Sequence, residues 1–398
     1  MIAPTRAFAQ SRPSLAGRTV LQILPRLDAG GAERTTIDVA AAIVQAGGRA
    51  LVACDGGRLV SELQVLGGVW LPFPAAAKNP FRMLYNVRKL ARLIVDERVD
   101  VVHARSRAPA WVALGATRIV ERPLVTTYHG AYAGGSALKL RYNSVMARGD
   151  AVIANSHYTA DSIEKLFPFA RDKLRVIYRG ANLSAFSAGA VDPARVTQLR
   201  EAWGVAPHER VVLLAARLTG WKGQRVLIEA AAKLHLEGVR YVLAGDPQGR
   251  DGYVREIDRL IEARGLRSVV SRVGHCRDMP AAFLAASVVA VPSTEPEAFG
   301  RSAVEAQAMG TPVVVSDLGA VPETVLAPPE VGAEARTGWR VPAGDVDALA
   351  QALKAALSLG ATARDALARR ARAHVESHFS LEQMTRDTLD VYGALLRV

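Results

Sequence analysis

Two glutamates eight residues apart, Glu297 and Glu305, lie in the segment PSTEPEAFGRSAVEAQAMGT at 292–311. Phe299-Gly300 between them marks a change from loop to helix. The backbone N–H groups of residues 300–303 are therefore expected to stand free at a helix N-terminus, a position that attracts anions. From Gly300 to Glu305 the helix rises roughly 7–8 Å, about the reach from a phosphate to its ribose diol. A diphosphate flanked by a sugar and a ribose would set its phosphate at the helix start and meet one carboxylate on each side. The spacing suits a nucleotide-sugar site.

Other residues offer complementary chemistry. Arg217 and Lys222 bracket the turn in ARLTGWKG at 216–223. Two fixed cations and a helix N-terminus would stabilise a departing diphosphate without a metal. Alone the pair reads as a solvated strand end; beside the Glu297–Glu305 segment it reads as chemistry. In DAGGAER at 28–34, Gly30-Gly31 opens a helix over 32–46 where backbone can approach a ligand, a plain tight turn being the alternative. No G-x-G-x-x-G fingerprint occurs, which argues against a nicotinamide enzyme. His129-Gly130 closes the strand-like run PLVTTYH. A histidine there is either structural or placed to reach a sugar hydroxyl and assist proton movement. Asp345-Val346-Asp347 has a D-x-D form, but it opens a helix, where N-cap and first-turn carboxylates account for it.

These residues need strands that end at them and helices that begin there. Strand-like runs (TVLQILPRL, ALVAC, VWLPF, DVVHAR, PLVTTYH, AVIANS, LRVIYR) alternate with amphipathic segments at 32–46, 80–98, 108–120, 136–147 and 157–167. A second series (RVVLLAAR, YVLAGD, VVSRVG, VVAVPS, PVVVSD, GWRVP) follows a break near Arg179–Asn182, expected to be the linker. Such alternation predicts parallel sheets covered by helices, with ligands beyond the carboxyl ends of the strands. The expected organisation is a flexible leader over 1–17 and an acceptor-side Rossmann-like domain over 18–185. A nucleotide-sugar-binding Rossmann-like domain follows over 186–378, then a C-terminal helix over 379–398.

Composition narrows the classes further. The chain has 398 residues, half of them apolar, enough for two hydrophobic cores. No apolar run approaches the ~18–20 residues of a membrane span, and the N-terminus lacks the apolar core of a signal peptide. Cys54 and Cys276 show no disulfide framework, so a cytoplasmic location is expected. The formal charge is +12, and 42 of the 50 basic residues are arginine. With no basic run and no nucleic-acid signature, nucleic acid is not an expected partner. The helix at 80–98 carries Arg82, Arg88, Lys89, Arg92 and Arg98 among apolar residues. It reads as an ordinary surface helix or as a face for an anionic membrane.

Together these motifs resemble the family 4 retaining glycosyltransferases (glycosyltransferase group 1), over essentially residues 19–395. The strongest element is EAFGRSAVEAQAMGTPVVVS, supported in order by GGAER, AVIANSHYTAD, VIYRGANLSAF, ARLTGWKG and TGWRVPAGD. The resemblance implies a GT-B fold: two doubly wound Rossmann-like domains facing a central cleft, the last helix crossing back to the first domain. It implies that Glu297 contacts donor-sugar hydroxyls, that Phe299 and Gly300 supply backbone donors near the phosphates, and that Glu305 holds the ribose. Arg217 and Lys222 would bind the diphosphate. His129 would lie near the transferred sugar, Gly30 and Gly31 would border the cleft, and Gly274-His275 would lie near the base.

Where E-G-F-G is commoner, this chain has Ala298 in place of the first glycine, and Arg301 follows the second. Tyr178-Arg179-Gly180 stands where Pro-Asn-Gly is usual. The PEAFGR…EAQAMG form is similar to a subgroup of lipopolysaccharide-core and envelope-polysaccharide enzymes. The expected activity is retaining transfer of a hexose-type sugar from a nucleoside diphosphate donor to a lipid-linked or polysaccharide acceptor. It would use no metal and no cofactor, at the inner face of the cytoplasmic membrane. A nucleotide-sugar epimerase and a non-catalytic nucleotide-sugar-binding scaffold subunit are the alternatives.

Overall fold

The computed structural model describes residues 14–28, 30–130 and 136–397. The chain forms two compact units. Unit 1 comprises the N-terminal part to Asn155, Ala160–Ile177 and the chain from Glu382; unit 2 comprises Ser156–Thr159 and Tyr178–Leu381.

In unit 1, β1 (Thr19–Ile23), β2 (Arg49–Cys54), β3 (Val69–Pro72), β4 (Val101–Ala104), β5 (Leu124–Tyr128), β6 (Ala151–Ala154) and β7 (Leu174–Val176) form one sheet. Its order is β3-β2-β1-β4-β5-β6-β7, and every pairing is parallel. In unit 2, β8 (Arg210–Ala215), β9 (Val239–Ala244), β10 (Val270–Gly274), β11 (Val288–Val291), β12 (Val313–Ser316) and β13 (Trp339–Val341) form a second parallel sheet. Its order is β10-β9-β8-β11-β12-β13.

The strands run apolar without alternation because both faces are covered. Side chains alternate across a sheet. Accordingly Val211, Leu213, Val289 and Val313 enter one core of unit 2, while Val212, Leu214, Val288 and Val314 enter another. In each sheet the connections diverge at one point, between β1 and β4 and between β8 and β11. Crevices for ligands open at such points, beyond the carboxyl ends of the strands.

Several boundaries differ from expectation. Residues 1–13 of the expected leader lie outside the described residues. Its last part is not a free tail: Leu15 is buried and its N–H bonds Ala46 O at 2.9 Å. The expected linker near Arg179–Asn182 is built into unit 2. Ala181 is buried and bridges Ser380, and Tyr178 packs its ring edge-to-face on Phe379 with centroids 5.1 Å apart. The continuous part of unit 2 therefore runs from Tyr178, eight residues before 186.

The C-terminal helix Leu381–Leu396 lies almost wholly in unit 1, where Tyr392 is fully buried. The Tyr392 hydroxyl pairs with His103 Nδ1 at 2.6 Å, and His103 Nε2 pairs with Thr127 Oγ1 at 2.6 Å. Burial, with smaller contributions from the charges of Arg105 and His129, pushes the His103 pKa far below its ordinary 6.5. In unit 2, burial and the neighbouring His378 push His374 down to about 4. A lowered histidine pKa contributes stability that is whole above pH 6.5 and is lost as pH falls towards the folded value. Glu305, whose pKa burial raises, acts in the opposite sense. The histidine variants therefore decide the matter. Between pH 6.5 and 4 the melting temperature of His103→Asn and of His374→Asn should fall less steeply than that of the wild type. Parallel slopes would refute the assignment.

Candidate functional site

Unit 2 gathers most of the expected residues at its switch point. Beyond β8 the chain turns through a short 3-10 helix, Gly220–Lys222, into the helix Gln224–Leu234. Beyond β11 it runs through Pro292–Gly300 into the helix Arg301–Ala308. The two loops touch through main chain: Thr294 N–H bonds Trp221 O at 2.8 Å. Gly223 has φ +75°, and a Cβ there would stand 1.8 Å from Pro292 O. Only glycine permits both the turn and the approach.

That approach joins two residues 75 positions apart. Lys222 Nζ donates to Glu297 Oε1, and Ser293 Oγ donates to the same oxygen at 2.6 Å. The pair is nearly enclosed, with side-chain exposures of 16% for Lys222 and 11% for Glu297. Lys222 Nζ also stands 4.2 Å from the centre of the Trp221 ring. Glu297 is held by its backbone as well, its carbonyl accepting from Ala320 N–H at 2.8 Å. The carboxylate thus spends Oε1 on protein donors and leaves Oε2 without a partner among the described residues, suited to ligand hydroxyls.

Gly300, at φ +80°, caps the following helix without a side-chain hydrogen bond. Ala303 N–H bonds Gly300 O at 3.0 Å, so among the described residues the free donors run from 300 to 302 and not to 303. The Phe299 side chain is buried against Phe379, ring centroids 5.6 Å apart, which anchors the backbone before the helix. Glu305 is buried on that helix, and Arg301 Nε donates to its Oε1 at 2.5 Å. Burial raises the Glu305 pKa, and the Arg301 charge and hydrogen bond oppose the rise. Arg301 is thereby explained as the cation that partners a buried carboxylate.

The remaining candidates are more separate. Arg217 follows β8, exposed, with no side-chain hydrogen bond or ion pair among the described residues. Gly274 and His275 are exposed at the end of β10. Three strand spacings, roughly 14–15 Å, separate that end from β11, so the sheet edge offers a track from Glu297 to His275. Asp345 caps the helix Val346–Leu357, its side chain accepting from Ala348 N–H at 2.9 Å, and Asp347 pairs with Lys233.

His129, Gly30 and Gly31 belong to unit 1. His129 is half-buried just after β5. Gly30 precedes the helix Gly31–Gln45, and the Glu33 carboxylate folds back over it. Beside His129 lies Arg105, which the sequence reading passed over. It is buried just after β4, with Nε donating to Gln22 Oε1 at 2.7 Å. A charged residue ending the strand-like run DVVHAR carried the same signal that singled out Arg217.

Two Rossmann-like units, one with a cation–carboxylate pair beside an uncapped helix start at its switch point, define a GT-B glycosyltransferase architecture. Residues 29–185 match Glycosyltransferase Family 4, and residues 196–374 match Glycosyl transferases group 1. A glycosyltransferase crystal structure from Rickettsia africae superposes with a TM-score of 0.87 at 32% identity, covering 95% of this chain and 98% of that one. The Anabaena HepE protein in complex with UDP-glucose gives 0.80 at 27%, covering 94% and 99%. The D-inositol 3-phosphate glycosyltransferase of Mycobacterium marinum is 31% identical over 313 residues, which is 74% of this chain and 63% of that relative. The chain belongs to the family 4 group of glycosyltransferases.

Proposed function

We propose that this protein transfers a hexose-type sugar, with retention of configuration, from a nucleoside diphosphate donor to a lipid-linked or polysaccharide acceptor of the cell envelope. The observation that carries the proposal is the enclosed Lys222–Glu297 pair beside the free N–H groups at Gly300–Ser302. In this scheme the helix start, Lys222 and Arg217 receive the diphosphate, Glu297 orients the sugar, and Glu305 meets the ribose. The sugar C1–diphosphate bond breaks as the acceptor oxygen bonds C1 on the same face, and the acceptor proton passes to the leaving phosphate oxygen. Cations and backbone dipoles supply the charge stabilisation for which other transferases use a metal. The HepE structure with UDP-glucose supports a uridine donor, and the PEAFGR…EAQAMG form supports an envelope role.

An anionic membrane surface is the proposed setting. The helix Pro80–Asp96 starts on Asn79, whose side chain accepts from Phe81 and Arg82 N–H. It exposes Phe81 and Tyr85 at 83% and 68%, with Arg82, Arg88, Lys89 and Arg92 also exposed on it. Among the described residues no helix is long and apolar enough to cross a membrane. Docking would be peripheral, at the inner face of the cytoplasmic membrane.

One experiment tests both halves. A panel of UDP-, GDP- and ADP-sugars is screened by thermal shift, since a bound donor raises apparent stability. The best donor is then incubated with EDTA and envelope extract, with anionic or neutral vesicles present. Expected are a single stabilising donor class, a product keeping the donor's anomeric configuration, and sedimentation with anionic vesicles alone. An epimerised donor without acceptor, or binding with no transfer, would replace this function with one of its alternatives. Equal partition to both vesicle types would remove the membrane surface.

A further inference from the structure

Arg301 stands where helix electrostatics disfavour it. It is the first residue of the helix Arg301–Ala308, next to the uncapped Gly300, and the first turn holds no acidic residue. The N–H groups there already carry the positive end of the helix dipole, so a cation in that turn is repelled unless anions offset it. Glu305 offsets it from one side. Arg301 Nε donates to Glu305 Oε1, while Nη1 and Nη2 have no partner among the described residues. The side chains differ in access, Glu305 being 7% exposed and Arg301 42%. The guanidinium therefore reaches from a buried carboxylate to solvent with its two amino groups idle.

Positions i and i+4 share one face of a helix. Arg301 and Glu305 thus lie in line along it, roughly 6 Å of rise apart. With the diphosphate at the helix start and the ribose at Glu305, the phosphate next to the ribose falls between them, beside Arg301. A planar fork of N–H donors suits its oxygens. The other side chains of that turn are already committed or apolar. Ser302 Oγ donates to Ala215 O at 3.0 Å, and Ala303 offers no donor.

We propose that Arg301 is a specificity-determining residue of the donor site, its Nη groups binding the phosphate next to the ribose while its Nε holds Glu305 for the ribose hydroxyls. One side chain then reads the junction of ribose and phosphate, and the site favours ribonucleotides over their 2′-deoxy counterparts. The outer phosphate is left to Lys222 and Arg217. This rests on the placement of the diphosphate at Gly300 and of the ribose at Glu305.

The test titrates the full chain with uridine, UMP, UDP and 2′-deoxyUDP by calorimetry at constant ionic strength. Two gains in affinity are read, from uridine to UMP for the inner phosphate and from UMP to UDP for the outer one. Arg301→Met should cut the inner gain at least about tenfold, the scale of a lost charged hydrogen bond. It should leave the outer gain within about twofold, as expected of separate contacts. Lys222→Ala should do the reverse. The preference for UDP over 2′-deoxyUDP should shrink severalfold in Arg301→Met and vanish in Glu305→Gln. Arg301→Lys keeps a charge beside Glu305 and should keep the melting temperature, yet its inner gain should fall severalfold, because one ammonium does not fork.

An inner gain unchanged in Arg301→Met overturns the proposal, since a merely structural partner of Glu305 would alter the melting temperature and leave both gains in place. Should Arg301→Met not fold, an inner gain in Arg301→Lys equal to that of the wild type overturns it. A UDP preference untouched by Glu305→Gln overturns instead the ribose role of Glu305, and the inner gain still decides for Arg301. Failure of the wild type to bind UDP overturns the donor reading, and Arg301 with it.

Discussion

Lys222→Ala is expected to lower transfer by about 10²–10³-fold, the range seen when one charge-stabilising donor is removed from an active site. Glu297→Ala should match it. The two act as one unit, since Lys222 Nζ and Ser293 Oγ converge on a single carboxylate oxygen. Each single variant also strands a charge in a nearly enclosed place. Breaking a fully buried pair costs about 3–5 kcal/mol. The residual exposure of 16% and 11% screens this pair somewhat, so a loss of about 1–3 kcal/mol is expected for each single variant. The double variant strands nothing and should be no less stable than either single variant. Its activity should stay as low as theirs, because loss of one partner already disables the unit. Chemical denaturation and initial rates on all four proteins measure this. Additive stability losses, or near-normal turnover in either single variant, would show that the pair does not serve as the centre of the site.

Gly223→Ala is expected to be more damaging to the fold than any change of a site side chain. An L-residue at φ +75° is strained by about 1–2 kcal/mol. The larger cost is the Cβ, which would meet Pro292 O at 1.8 Å and Pro292 C at 2.6 Å. Backbone cannot yield as a side-chain tip can, so the loops after β8 and β11 must part. Parting them withdraws Lys222 from Glu297 and breaks the Thr294–Trp221 hydrogen bond. A loss of more than about 3 kcal/mol is expected, with transfer lost even where folded protein is recovered. Gly220→Ala is the control: a Cβ there meets nothing within 4 Å, and its melting temperature should stay close to that of the wild type. Equal melting temperatures for the two alanine variants would refute the close approach.

Much of this was legible in the amino-acid order. Parallel sheets buried on both faces must be written as short apolar runs, and the strands fall within the runs read from the sequence, except that β2 begins at Arg49 and β9 at Val239, ahead of theirs. Chemistry at strand ends is expected from the same rule, and Arg217 and Lys222 do follow β8 as Glu297 follows β11. Asp345 was legible as a cap because a cap contacts residues three positions away. The placement of Leu15 and of Ala181 was not, because what buries them is distant in sequence.

The opening pair of glutamates shows where the division falls. Local sequence determined the helix start at Gly300 and the single turn from Arg301 to Glu305, since both depend on contacts within four residues. Tertiary structure alone decided that Lys222 and Glu297 share a hydrogen bond, and that Arg105 lies buried beside a helix 70 residues earlier in the chain. The physical reason is the strand order. β8 and β11 are neighbours in the sheet but have β9 and β10 between them along the chain, as β1 and β4 have β2 and β3, and no residue spacing records that adjacency.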